Sequence, residues 1–447
     1  MSSPRSAAAA LLCACLLPAT AAAQQIGTAL SGPTTADGAS AWINPASMGA
    51  GDGTHVELVG GVALVALEYQ PDGGRGSAAE SSAVAPIVTA GAFTDALHDD
   101  VRIGLTAAVA NLAGCGWGRD GGALDITRYY MVDGALYHLS VAPALSWSPA
   151  EWITLGAGAD IVYGRMRMDL DKDLGVALNE AAGSTELESP FPYAHPDLAA
   201  PVEGSADGMG VGAIVGALVR PAESVSVGLA VHTPVTIDGT GTLSVDYPER
   251  VRQFVADTVP SAELPDLDGS FDVELDRPLI MVGGVSVRPV PELELAAHYQ
   301  FEHLSSQPTF DIVITEASSE SIGNTTKPQA YMNRHRVAVR LVHQPIAPLR
   351  LAVFGSFQSN TIPEQTTAPN NIDFDRFEVG LAAHWQALDD LGVLVQYSHI
   401  HLADRVVDES LHRPLTQPSL AAFNHPSPTG TYGGSAHTIR LGLALRL

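Results

Sequence analysis

The residue spacing closest to a ligand-binding centre is Asp169-x-Asp171-x-Asp173 with Glu180 in the twelfth position, the donor order of a calcium loop. Leu174 stands where such a loop needs the glycine of its sharp turn, so the run reads as an acidic surface loop. His399 and His401 share one strand face with Asp404 nearby, a pattern that a rim position explains without a metal. Glu409, Ser410 and His412 supply the residue types of a hydrolase, but no G-x-S-x-G or H-E-x-x-H motif supports them. Gly208, Gly210, Gly212 and Gly216 lack the strand–turn–helix setting of a dinucleotide site. No cofactor, no metal and no catalytic set is therefore expected. What remains is a series of arginines at strand positions: Arg102, Arg336, Arg340, Arg376 and Arg440. They could receive a carboxylate or pair with Glu294, Glu302 and Glu378.

The elements that must position these arginines are short segments of alternating polarity. In the last of them Ile439, Leu441, Leu443 and Leu445 fall on one face and Arg440, Gly442, Ala444 and Arg446 on the other. An apolar face backed by small or charged residues suits a strand between lipid and a wet lumen. The same reading gives about fourteen strands, near 54–69, 82–93, 101–113, 134–147, 151–168, 206–220, 223–235, 278–288, 292–304, 335–344, 348–359, 373–387, 391–403 and 436–447. Short turns carrying Pro149, Pro221, Pro289 or Pro345 alternate with long polar loops, so an even strand count leaves both ends of the barrel wall on the short-turn side. The fold class is all-β: a transmembrane antiparallel β-barrel. Trp147 and Trp385 beside short turns fit an aromatic girdle, Pro143 predicts a bulge or kink, and the doubly apolar strand 54–69 fits one covering a plug.

Composition agrees. Arg5, the apolar run Ala7–Leu17 and Ala21-Ala22-Ala23 form a secretory signal over residues 1–23. Its removal leaves Cys115 as the one cysteine and excludes an internal disulfide. No later stretch reaches the roughly 18 to 20 apolar residues of a spanning helix. A net charge of −26, with Lys172 and Lys327 as the two lysines, argues against nucleic acid.

Residues 24–53 are small-residue-rich, not strand-like, and of a size to fold inside a barrel. They contain Asp37-Gly38-Ala39-Ser40-Ala41-Trp42-Ile43-Asn44-Pro45-Ala46. With Val227–Val235 and Gly430–His437, this run resembles the FadL/TodX-type outer-membrane transporters of long-chain fatty acids and other hydrophobic compounds. The stretch before Asn44 is shorter than the family's. The resemblance implies an N-terminal hatch over 24–53, a barrel over 54–447, and a Gram-negative outer-membrane location with both mature termini periplasmic. It implies hatch-gated passive diffusion of a fatty acid or other hydrophobic small molecule, leaving sideways through a kink in the third strand. Asn44, Pro45 and Ala46 would gate, beside that kinked strand; Gly104 is the kink candidate, and Arg336 and Arg340 are the headgroup candidates. Other expected partners are outer-membrane lipid, lipopolysaccharide and the barrel-assembly machinery, with the protein a monomer. A general diffusion porin is the first alternative and an outer-membrane hydrolase the second.

Overall fold

The computed structural model describes residues 26–72, 78–119, 126–174, 198–258, 267–318, 324–412 and 428–447. The signal segment and Glu180 lie outside them. Among the described residues eighteen strands form one antiparallel sheet. In chain order they are β1 (His55–Pro71), β2 (Ala79–His98), β3 (Val101–Cys115), β4 (Asp133–Ala150), β5 (Ile153–Asp173), β6 (Ala199–Ala222), β7 (Val225–His232), β8 (Asp238–Val245) and β9 (Leu267–Glu274), followed by β10 (Ile280–Val290), β11 (Leu293–Glu302), β12 (Thr309–Ala317), β13 (Thr325–Pro328), β14 (Arg334–Ile346), β15 (Leu349–Gln358), β16 (Arg376–Gln386), β17 (Leu391–Val407) and β18 (Gly430–Arg446).

Fourteen of these make the wall. β7 pairs with β10, β11 with β14, and β1 with both β2 and β18, which closes the barrel. Closure satisfies the edge groups that an open sheet would expose. The remaining four lie in connections expected to be loops. β8 extends the wall by pairing onto β6, β9 pairs onto β8, and β12 pairs onto β9 and β13. Their apolar residues, including Leu243, Phe271 and Val273, bury against Met166 and Leu170 of β5 rather than facing water.

Strand parity is as the sequence dictates. Phe377, Val379, Leu381 and Trp385 point outward on β16 and Leu441 and Leu443 on β18, while Arg376, Ala382, Arg440 and Gly442 point in. Trp147 and Trp385 stand outward beside short turns. On β1 the inward apolar residues Ala63, Val65, Leu67 and Tyr69 pack into a cluster at the long-loop end with Trp117, Tyr130 and Phe374, so they cover loops more than the plug. Pro143 breaks the ladder instead of bulging it: Ala142 and Pro143 are unpaired with β5, and the register resumes unchanged from Val141–Ile161 to Ala144–Gly158. A missing donor costs hydrogen bonds there but inserts no residue.

The outward belt sets one expectation. Leu381, mid-strand and 60% exposed, replaced by Arg should destabilise the barrel by about 2–4 kcal/mol, against about 0–1 kcal/mol for Leu388→Arg in a short turn. Reversible urea unfolding in lipid vesicles measures both, and equal costs would remove the lipid-facing assignment of β16.

Candidate functional site

The segment from Ile26 to Gly53 lies inside the barrel, and its shape follows from one amide. A short helix (Ser40–Ile43) ends at Asn44, whose extended backbone leads into a 3-10 turn, Pro45–Ala50. Asn44 Oδ1 accepts from the Ala46 N–H at 3.1 Å, and Nδ2 donates to the carbonyls of Pro33 (2.7 Å) and Ala217 (3.2 Å). Only a side chain that both donates and accepts fills this position. Pro45, first in the turn, forgoes an N–H that would have lacked a partner.

The wall is cut away to receive this turn. A β-carbon on Gly216 would sit 2.0 Å from Asn44 Oδ1, one on Gly228 2.0 Å from the Pro33 carbonyl, and one on Gly156 2.2 Å from Ala46 N. Asn44-Pro45-Ala46 is thus seated against β5, β6 and β7, and the turn it opens meets the third strand further on, at Met48. The small-residue stretch that permits backbone contact is on those strands, and β3 offers Gly104 to Met48 instead.

Gly104 is not the kink. It pairs in regular register with Phe93 and Ala144, and its place is taken up by the Met48 sulfur, 2.4 Å from where a β-carbon would lie. The irregularity of β3 comes between Val109 and Asn111, where Ala110 is inserted. Just before it the β2–β3 ladder stops: Thr89–Ala108 is its last pair. From there Ala79–Val88 of β2 remain bonded to β1, and the rest of β3 to β4, so the wall parts between the two strands. Pro86, which has no N–H to donate, lies on the parted edge.

Buried charges hold the inserted segment on every side. Asp160 accepts from Trp42 Nε1 at 3.0 Å and from Arg277, whose other nitrogen donates to Ser140 at 3.1 Å. Arg440 donates to the Gly27 carbonyl at 2.7 Å, and Gln396 accepts from the Ala29 N–H at 2.8 Å. Arg340 donates to the Ser31 carbonyl, to Thr35 Oγ1 and to Glu294 at 2.8–3.0 Å. Arg336 pairs with Glu378 at 3.5 Å, and that carboxylate also accepts from Ser356 and Ser398. Neither headgroup candidate is therefore free. A charge kept out of bulk water must be matched nearby, and these two are.

A cavity of about 300 Å³ lies over the segment, between Trp42 and the long loops. Met131, Leu136, Met166, Ile280, Phe310 and Ile372 give it an apolar lining, and it reaches Ala110, Ala113 and Cys115 at the parted edge of β3. Glu302 and Asp373 at its margin are held by Arg334. Lys327 is different. It is 7% exposed, donates to Asn370 Oδ1 at 3.0 Å, and pairs with no carboxylate among the described residues. Burial pushes its ammonium down to about 7. Its rarity, one lysine of two, was the only sequence signal; its neighbours come from strands far apart in the chain.

The other candidates do not converge. Asp169 and Asp171 are taken by Arg119 at 2.6 and 3.1 Å, and no cation-binding group of His, Cys, Asp and Glu occurs among the described residues. His399 faces outward with its ring 4.8 Å from His437. Ser410 donates to the Thr367 carbonyl and His412 Nε2 bonds the Pro328 carbonyl, so the hydroxyl and the imidazole are each directed to a backbone carbonyl.

Similar proteins share this whole architecture. A crystal structure of a Pseudomonas aeruginosa FadL homologue superposes with a TM-score of 0.76 at 18% identity, covering 96% of this chain and 99% of that one. The P. putida toluene transporter TodX gives 0.68 at 14%, covering 97% and 99%. The CymD monoaromatic hydrocarbon channel gives 0.62 at 11%, covering 95% and 99%. A comparison with curated proteins gives no match by sequence. The family described as outer membrane protein transport protein (OMPP1/FadL/TodX) matches over residues 5–440, and this chain, a fourteen-stranded barrel of the outer membrane, belongs to it.

Proposed function

We propose that the protein imports amphiphiles with an anionic head and a long apolar tail, most simply long-chain fatty acids. The observation that carries this reading is Lys327, a buried cation without a carboxylate partner among the described residues, set in an apolar cavity. An uncharged aromatic hydrocarbon would leave such a group unmatched; a carboxylate would complete it. The long loops face the medium, the termini face the periplasm, and ligand passes from the cavity through the parting of β2 and β3 into the membrane. Residues 24–53 act as the hatch, with the Asn44 turn as its fixed point. A wide diffusion pore is disfavoured by so many hydrogen bonds between that segment and the wall.

Lys327→Met should weaken binding of a fatty acid by roughly tenfold or more, the worth of a hydrogen bond to a charged group, and leave its methyl ester unaffected. An alkyl sulfonate, ionised at every pH, should bind less tightly as pH rises through about 7, because the ammonium it needs is lost. Equal losses for acid and ester would assign Lys327 to packing alone, and a flat pH profile would exclude it from the head site.

Deleting Ala110 should straighten β3 and let it pair with β2. Heat-resistant barrel should persist while uptake falls severalfold; unchanged uptake would exclude the lateral path. Asn44→Ala or a Pro45 replacement should impair uptake at normal barrel abundance, and normal uptake in both would remove gating from this turn.

A further inference from the structure

At the short-turn end of the lumen, under the hatch segment, two adjoining cavities of about 470 and 640 Å³ share Arg288, Glu294, Arg350 and Arg446. The arginines come from three strands, in phase with the inward residues Ser286 on β10, Ala352 on β15 and Arg440 on β18; Arg350 is half-buried, while Arg288 and Arg446 are exposed at the mouth of the lumen. Arg288 donates twice to Glu294 Oε2 at 3.0–3.1 Å, and Glu294 is already held by Arg340. Arg350 and Arg446 have no carboxylate at ion-pairing distance among the described residues. The charge nearest in effect to Arg350 is the carboxylate of Glu294, followed by the guanidiniums of Arg340, Arg288 and Arg446. His384, directly opposite Arg350 across the β15–β16 ladder, occupies the space left by Gly392, whose β-carbon would lie 2.4 Å from its Nε2. The other carboxylates on the rim, Asp52, Glu151, Glu223 and Glu292, are exposed and pair with neither arginine.

In a chain of net charge −26, two arginines that line the same cavities, with no carboxylate at pairing distance from either among the described residues, repel one another unless an anion sits between them. We propose that this end of the lumen is a phosphate-binding site, with Arg350 and Arg446 as its primary ligands and Arg288 as the third. Two unmatched guanidiniums balance a dianion, which a phosphate monoester supplies and a single carboxylate does not. Each guanidinium presents the planar fork that fits phosphate oxygens. The site differs from the Lys327 cavity, which lies on the other side of the hatch, and it does not depend on what that cavity carries. The hatch roofs it through Thr34, Thr35 and Gly51, and Arg340 links its one carboxylate to Ser31 and Thr35. An anion drawing Arg288 away from Glu294 would therefore act on the hatch anchor. The phosphate has two possible sources, a free ion or a lipid headgroup.

The test uses the full folded chain. In non-ionic micelles, phosphorus NMR titration with inorganic phosphate should show saturable binding, weakened on the order of tenfold or more in the double variant Arg350→Gln, Arg446→Gln, with acetate a poor competitor. In phosphatidylcholine vesicles containing phosphatidic acid, native mass spectrometry after extraction should find phosphatidic acid retained by the wild type and lost from the variant. Binding in the first arm identifies a free-phosphate site; retention in the second without the first identifies a lipid headgroup site. Heat-modifiability reports whether the variant is folded, and the Arg350→Lys, Arg446→Lys pair keeps charge without the fork. Absence of both forms of binding in the wild type, or equal binding in a folded double Gln variant, overturns the proposal.

Discussion

Closure of the sheet is the constraint on which everything else depends. β1 meets β18 in unbroken register along all 17 of its residues, and that seam turns an open sheet with two costly edges into a wall with none. Once every backbone group must be bonded around the circle, any local departure has to be placed deliberately. The wall makes such departures mid-strand at Pro143 of β4 and beyond Ala108 of β3, where the ladder with β2 ends and an inserted residue shifts the register with β4. The parted edges lie against an apolar cavity lined by Ala113 and Cys115, so the backbone groups freed there border protein interior on one side.

The second constraint is electrostatic. Lumen-facing arginines and carboxylates are neutralised within the molecule, by one another and by carbonyls of the inserted segment. That matching keeps Arg336 and Arg340 as structural cations, and it makes Lys327, Arg350 and Arg446 conspicuous. Lys327 is buried, Arg350 half-buried and Arg446 exposed at the mouth of the lumen, and a lumen-facing cation left over when so many neighbours are paired is a site defined by subtraction. The exceptions cluster above and below the hatch, at the two ends of the lumen.

Much of this was legible in the chain. Alternation on β16 and β18 set which residues meet lipid, and the rhythm of short and long connections set the strand count, because both are local consequences of a two-residue period. Bulges are not local in that sense. Gly104 looked like the flexible position of β3, but its smallness serves a methionine, and the inserted Ala110 is one of four alanines between positions 107 and 113 with nothing to single it out. The Asn-Pro-Ala turn could be recognised, yet its seat could not. It rests on Gly156, Gly216 and Gly228, three glycines from separate strands brought together only by the register. The strands inside the long loops were hidden for a related reason: β8 and β9 bury their apolar residues against the extension of β5 and β6, which no single loop encodes.

The inserted segment also spans the seam from within. Gly38 is held by Glu57 on β1, and Gly27 by Arg440 on β18, the strand on the other side of the closing ladder. A seam zipped two residues out of step would carry Arg440 away from Gly27 by about 7 Å, the rise of two strand residues. It would leave a buried guanidinium and a buried carbonyl unmatched while costing few ladder bonds. Backbone hydrogen bonding alone scarcely distinguishes such slips; the segment does. Filling the lumen and fixing the seam's register are then served by the same contacts, with the chain's own N-terminal portion as the gauge for β1 and β18.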